Sequence, residues 1–378
     1  MKKIATVFFI LFSLISCMET KDSDENIYDA VVAGGGLAGL SAAYHLKNTL
    51  GENAKIVLLE KENRLGGRVF TRKFGEYDYE LGAMFAYSPT LAPKDFQLPE
   101  LVVEPNSYGV YENGKLTFST AIDKYDSFLT SVSNVLGNGK RYGKYGYLSH
   151  RAGGNGTMIE AYEKELEGKF ILEAEVVSVK TENGSNVVRY KKGRKEEKIK
   201  AKTVIVATTA TVASKIIKEM ETESENFLKS ISYKSRAVVV FLVKLDKPLN
   251  FASISGENLK VYVANNGNNV ATIYCYLYKQ ECNSVDFAMK RLKEMKVLDE
   301  KSEILHTDSA LWKEEGPLVA ESYKNFKESI LNPLPGVFLA GDYTWWNRYK
   351  VPYGMPPAYF SGKNAAKRAS EYLKKQSK

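Results

Sequence analysis

The sequence predicts an α/β fold: a Rossmann-type parallel sheet with helices, joined by further strands that pair in hairpins. Three observations carry this reading. The stretch Tyr28–Thr71 reads as strand, tight turn, helix, strand. Apolar runs that suit buried strands recur far downstream, at Ala201–Thr208 and just before Gly341. Alternating segments around Asn113-Gly114 and Asn183-Gly184 predict hairpins.

The first element is a leader. Lys2 and Lys3 precede an apolar stretch, Ile4–Ile15, that is too short to read as a membrane span and has the shape of a secretory signal. Leu14-Ile15-Ser16-Cys17 resembles the bacterial lipobox. The expectation is a signal peptide over 1–16, lipidation at Cys17, a polar tether over 17–26, and an exported chain anchored to a bacterial membrane. A plain signal peptide or an uncleaved anchor is the alternative. If Cys17 is lipidated, Cys275 and Cys282 remain, either paired or as two separate buried thiols.

Next comes the stretch on which the rest is organised. Ala30–Ala33 is a buried strand, followed by Gly34, Gly36 and Gly39 at the spacing G-x-G-x-x-G. Gly34 permits the tight turn, Gly36 lets backbone approach a pyrophosphate, and Gly39 lets helix and strand pack closely. Leu37 and Ala38 open a helix, Leu37–Leu50, whose free N–H groups face the phosphate charge. Ile56–Leu59 is the second strand. It ends on Glu60, 21 residues after Gly39, where a carboxylate suits a ribose hydroxyl. Lys61 is assigned to the same end of the nucleotide. These elements together define a Rossmann-type dinucleotide-binding unit.

After Glu60 the sequence runs Arg64-Leu65-Gly66-Gly67-Arg68. This resembles the second signature of the flavin-containing amine oxidoreductase superfamily, which includes amine oxidases, protoporphyrinogen oxidases and carotenoid desaturases. The resemblance implies FAD, with Gly67 and Arg68 lining its pyrophosphate and flavin. Arg68 also has a physical reason to be there, as a fixed planar cation. Tyr77–Met84 resembles the family segment that passes the flavin ring, so Gly82, Ala83 and Met84 are expected beside it. Arg151–Met158 resembles the glycine turn that returns the chain to the FAD domain, with Asn155 or Thr157 capping a helix over Met158–Leu166. By resemblance, Val176 contacts adenine through its backbone. Pro335–Thr344 and Tyr353–Ala366 resemble the family's last motif. There Gly341 and Asp342 hold FAD hydroxyls, and a helix starting near Met355 and Pro356 points its N-terminus at the flavin, where it stabilises the reduced anion. No cysteine lies in 332–366, so FAD is expected to be non-covalent.

By resemblance to the family, the remaining sequence forms a smaller α+β substrate domain over 85–150 and 222–331, built on a mixed sheet and interleaved with an FAD domain that carries a β-meander. The FAD domain is expected over 27–84, 151–221 and 332–374. Tyr125–Leu136 is amphipathic, Ala237–Val243 is a continuous apolar run, Asn268–Tyr278 alternates, and Val285–Met295 has helical spacing. Trp345, Trp346 and Tyr353 sit in a short insertion, and either wall the pocket on the flavin's reactive face or serve ordinary packing. Many amine oxidases carry a flavin-facing lysine in the segment comparable to Val238–Leu242. Here that run has no charge, with Lys234 before it and Lys244 after it.

Length and composition agree with two ordinary globular domains: 378 residues, 44% hydrophobic and 26% charged. The net charge of +8 is scattered. The run Lys191–Lys202 interleaves glutamates, lacks aromatic partners, and reads as a solvated hairpin rather than a nucleic-acid surface. No Cys/His spacing suits a metal. The resulting expectation is an FAD-dependent oxidoreductase that takes a hydride from a C–N or C–C bond of an apolar or amine-bearing small molecule. A flavin-binding lipoprotein without independent turnover is the alternative.

Overall fold

The computed structural model describes residues 27–84, 91–93, 101–103, 107–119, 149–151, 153–278, 284–319, 322–323, 326–345 and 354–376. In chain order the first elements are β1 (Ile27–Ala33), α1 (Leu37–Leu50), β2 (Ile56–Leu59), β3 (Thr71–Phe74), β4 (Tyr77–Glu80), β5 (Leu101–Val103), β6 (Tyr108–Glu112), β7 (Lys115–Ser119) and β8 (Ser149–Arg151). They are followed by α2 (Gly156–Glu165), β9 (Phe170–Ile171), β10 (Ala174–Glu182), β11 (Ser185–Lys192), β12 (Lys195–Val206), α3 (Ala210–Ile216) and α4 (Thr222–Ser230). The last are β13 (Ser232–Lys244), β14 (Ser253–Gly256), β15 (Leu259–Asn265), β16 (Val270–Leu277), α5 (Val285–Glu294), β17 (Glu303–Leu318), β18 (Val337–Leu339) and α6 (Met355–Gln376).

The fold is α/β, with two seven-stranded sheets. The first has the order β10-β11-β12-β1-β2-β9, with β18 added beside β12. Strands β12, β1, β2, β9 and β18 pair in parallel, and β10, β11 and the first half of β12 form an antiparallel meander. The central strands are apolar without alternation because both faces are covered. Ala30, Val32, Ile56, Leu58 and Ile205 pack under α1 and α6, while Val31, Ala33, Val57, Leu59, Val204 and Val206 face α3, α4 and the meander. The basic run Lys191–Lys202 forms the turn and the start of β12, paired Lys192 with Lys195, and its outer part is exposed.

The second sheet has the order β17-β13-β16-β15-β14-β6-β7. Its central strands β13, β16 and β15 are covered on both faces as well, while the edge strands β17 and β7 are largely exposed. Val239, Phe241, Val261, Val263, Ile273 and Cys275 pack against α5. Val238, Val240, Tyr262, Tyr274 and Tyr276 pack against Tyr79, Leu81 and Met84, which belong to the chain leaving the first sheet. Tyr79 fastens this contact: its hydroxyl donates to Asp308 Oδ2 at 2.7 Å and lies 3.1 Å from His306 Nε2, both on β17. This seam between the sheets is where the glycine-rich segments converge.

Two expectations need adjustment. Neither Asn155 nor Thr157 caps α2 with its side chain. Asn155 has helical backbone angles and turns its amide to the carbonyls of Ala83 and Met84, and Thr157 donates to the carbonyl of Gly154. Cys275 is a free, fully buried thiol; Cys282 lies outside the described residues, as do Cys17 and Tyr125–Leu136.

Candidate functional site

The site begins where β1 ends. The Gly34 N–H donates to the Leu59 carbonyl at 2.8 Å as the last bond of the β1–β2 ladder, and the positive φ of Gly34 (106°) then turns the chain into α1. A Cβ on Gly39 would fall 1.8 Å from the Gly34 carbonyl oxygen, so only glycine allows this approach of helix to strand. Gly36 differs: its Cβ would meet nothing within 4 Å. It projects into open space at the N-terminus of α1, where the first-turn N–H groups of Leu37, Ala38 and Gly39 have no carbonyl one turn earlier.

Glu60 stands beside this loop and is buried. Its Oε2 accepts from the Gly35 N–H at 2.6 Å and its Oε1 accepts from the Glu62 N–H at 2.9 Å. The acid expected for a ribose thus also ties the glycine loop to the end of β2. Lys61 is exposed and pairs with Glu62 at 3.4 Å. The Ala174 N–H donates to the Glu60 carbonyl at 2.8 Å, which sets Val176, two residues along edge strand β10, at the same end.

The Arg64–Arg68 turn lies across the loop. The Gly66 N–H donates to the Gly35 carbonyl at 2.9 Å, and a Cβ on Gly67 would come within 3.1 Å of Gly36 Cα. The two arginines have separate tasks. Arg64 stacks on Phe70 at 3.9 Å and donates to the carbonyls of Leu65, Gly67 and Val69, so it builds the turn. Arg68 reaches outward, with Nη2 2.9 Å from Asp342 Oδ2 and Nη1 donating to the Glu315 carbonyl. Burial disfavours the Arg68 charge, but Asp342, with Tyr233 and Glu315 behind it, holds the guanidinium more firmly protonated than usual.

Gly82 and Ala83 run against the same turn. The Ala83 N–H donates to the Arg68 carbonyl at 2.8 Å, and a Cβ on Gly82 would sit 2.0 Å from that oxygen. From the second sheet, Tyr276 donates to the Gly82 carbonyl at 3.1 Å and Trp312 Nε1 to the Leu81 carbonyl at 2.6 Å. At the C-terminal motif, β18 pairs with β12, and the Gly341 N–H donates to Ser361 Oγ of α6 at 2.9 Å. Asp342 is then buried beside Arg68. Met355 opens α6 and is buried in the same apolar cluster as Leu37, Ala38 and Leu65.

Residues separated by some three hundred positions therefore share one seam: Gly34–Gly39, Glu60, Gly67, Arg68, Gly82–Met84, Val176, Gly341, Asp342 and Met355. The donor set fits an anionic dinucleotide carrying hydroxyls. Backbone N–H groups and Arg68 suit phosphates, buried Glu60 and Asp342 suit hydroxyls, and Gly36 leaves the cradle that a side chain would fill. Trp345 is buried and stacks on Phe360 of α6, rings 6.1 Å apart. Trp346 and Tyr353 lie outside the described residues.

Glu80 lies within the Tyr77–Met84 segment, whereas Arg236 and Glu315 carry no local signature. Glu80 is buried, accepting from the Asn155 N–H at 2.5 Å and from the Thr71 hydroxyl at 2.9 Å. Burial overrides those donors and pushes its pKa up to about 7. Lys234 and Lys244 are both exposed. Arg236, Val238 and Val240 share the seam face of β13 with the exposed Lys234 and Lys244, and among these cations Arg236 is the half-buried one, 5.3 Å over the Tyr276 ring. It pairs with Glu315 at 3.2 Å.

Comparison with known proteins places this architecture. The model of the flavin containing amine oxidoreductase family matches residues 100–370, and that of an NAD(P)-binding Rossmann-like domain matches 32–93. The chain belongs to the flavin-containing amine oxidoreductase family, a family of flavin-dependent oxidoreductases. Curated relatives match over short stretches. Coproporphyrinogen III oxidase of Mycobacterium bovis is 44% identical over 52 residues, covering 14% of this chain and 12% of the relative. Prenylcysteine oxidase 1 of Rattus norvegicus is 33% identical over 124 residues, covering 32% and 22%. The matched part is thus a small share of each relative's length. Among solved structures, cyclohexylamine oxidase from Brevibacterium oxydans has a TM-score of 0.66 at 14% identity, covering 92% of this chain and 100% of that one, a likeness of fold.

Proposed function

We propose that the protein is an oxidoreductase that binds FAD non-covalently and removes a hydride from a C–N or C–C bond of an apolar or amine-bearing small molecule. Bound flavin supplies the hydride acceptor, and the chain's own residues bind, orient and tune. The first turn of α1 and Arg68 hold negative charge, Glu60 and Asp342 accept hydroxyls, and Gly82–Ala83 offer flat backbone held in place by Tyr276 and Trp312. The observation that most supports the reading is Gly36, with open space where a side chain would stand at a helix N-terminus, beside the Gly67-Arg68 turn whose half-buried Arg68 pairs with buried Asp342.

Gly36 also provides the test. Its backbone is extended (φ −70°, ψ 175°), which any residue adopts, and no protein atom opposes a Cβ. Gly36→Val should therefore fold and melt like the parent protein yet lose visible flavin absorbance. Full flavin occupancy in that variant would remove the site assignment. In the parent, acid precipitation should release the flavin into the supernatant. Anaerobic bleaching of the bound flavin, screened across amines and lipophilic polyenes or porphyrinogens, identifies the substrate class. The same reading has Cys17 lipidated and the chain held at a bacterial membrane surface, supported by Leu14-Ile15-Ser16-Cys17. No helix among the described residues is long and apolar enough to cross a membrane.

A further inference from the structure

Four charged side chains line up across the seam between the two sheets. Arg236 Nη1 lies 3.2 Å from Glu315 Oε1. The backbone carbonyl of the same Glu315 accepts from Arg68 Nη1, and Arg68 Nη2 pairs with Asp342. The Arg236 and Glu315 side chains are 14% and 17% exposed. Glu315 Oε2 is buried and has no hydrogen-bond partner among the described residues. A bulge puts Glu315 there: pairing passes from Arg236 with Trp312 to Lys234 with Gly316, so two steps along β13 span four along β17. Bulges commonly re-aim a strand in this way beside functional sites.

We propose that Glu315 and Arg236 are positioning residues for the cofactor site. Glu315 fixes the direction of the Arg68 guanidinium through its carbonyl, and Arg236 keeps the Glu315 carboxylate from capturing that guanidinium. The inference rests on the flavin reading above. A guanidinium held at two points presents its remaining N–H groups in a fixed plane. Asp342 already pairs with Arg68, and the carboxylate of Glu315 is the second acid whose charge acts on it. Burial pushes the Glu315 carboxyl above the usual range; against it Arg236 is the largest influence favouring the charged form and Arg68 the next, so without Arg236 its strongest cationic neighbour is Arg68. With Asp342 already paired to Arg68, a second carboxylate turned onto that guanidinium would leave the cluster net negative toward the cofactor.

The test uses full-length protein with FAD, reading the FAD dissociation constant and the two-electron midpoint potential. Arg236→Met should weaken FAD binding about tenfold, within the coupling expected of contacting charges. It should also lower the potential by about 30 mV, the value of a tenfold preference lost by the reduced form. Arg236→Lys should restore both. The deciding variant is Arg236→Met combined with Glu315→Gln, which buries no unpaired charge and so also guards against misfolding. The carbonyl stays and the competing carboxylate is gone, so affinity and potential should return to parental values. The proposal is overturned if Arg236→Met leaves both readouts unchanged, or if the double variant is as impaired as Arg236→Met alone. Parental protein that binds no flavin would overturn the functional reading and this inference together. Parental binding with an indifferent Arg236→Met would overturn the inference alone.

Discussion

Replacing Glu80 with glutamine should stabilise this protein at pH 8 and leave it unchanged near pH 4. The carboxylate is buried at the junction of β4 and α2, where it accepts from the Asn155 N–H and the Thr71 hydroxyl. Thr71 Oγ1 in turn accepts from the Gly156 N–H at 2.7 Å. Glutamine has the same shape: its oxygen can accept from Asn155, and its amide can donate to the remaining lone pair of Thr71. What changes is the charge. Burial raises the Glu80 pKa from the usual 4.5 to about 7. The folded protein thus retains a proton that the unfolded chain gives up, so stability from this group is present below pH 4.5 and is lost as pH rises through 7. The span between those values corresponds to about 3 kcal/mol, to order of magnitude. Thermal unfolding of parent and Glu80→Gln, followed from pH 4 to 8 at fixed FAD concentration, measures it. The variant's advantage should grow with pH and level off above 7. A difference between the two proteins that is independent of pH would refute the reasoning, since it would mean that Glu80 is ionised throughout. Glu80→Ala should be destabilised at every pH, because it strands the Asn155 N–H.

Gly82→Ala should cost about 3 kcal/mol, the upper end for overpacking, because its Cβ would lie 2.0 Å from a backbone oxygen that cannot rotate away. Flavin content should fall with the melting temperature; a melt at the parental temperature would show that the Arg68–Ala83 contact is looser than described. For the anchor, metabolic labelling with a radioactive fatty acid should mark the parent protein and not Cys17→Ala, and equal labelling of both would place any lipid elsewhere.

The sequence by itself determined whatever depends on neighbours along the chain. Gly34, Gly36 and Gly39, the helix after them and the strand ending at Glu60 are one continuous stretch, so their backbone requirements are written in residue type and spacing. The same holds for the hairpins at Asn113-Gly114 and Asn183-Gly184, since a turn needs only its own residues to take positive φ. The tertiary structure alone decided who meets whom across the seam. Arg68 finds Glu315 and Asp342 at separations of 247 and 274 residues. Its neighbour Arg64, alike in type, is spent on the turn. Ala237–Val243 reads as apolar throughout because both faces of β13 are buried, and Lys234, Arg236 and Lys244 share one parity, so periodicity could not show that Arg236 is the one held in the seam by an acid while both lysines are exposed. The part played by Glu315 was equally hidden, because it depends on a bulge in the pairing of two strands. Such a bulge is fixed by how the strands meet and leaves no pattern in either one alone.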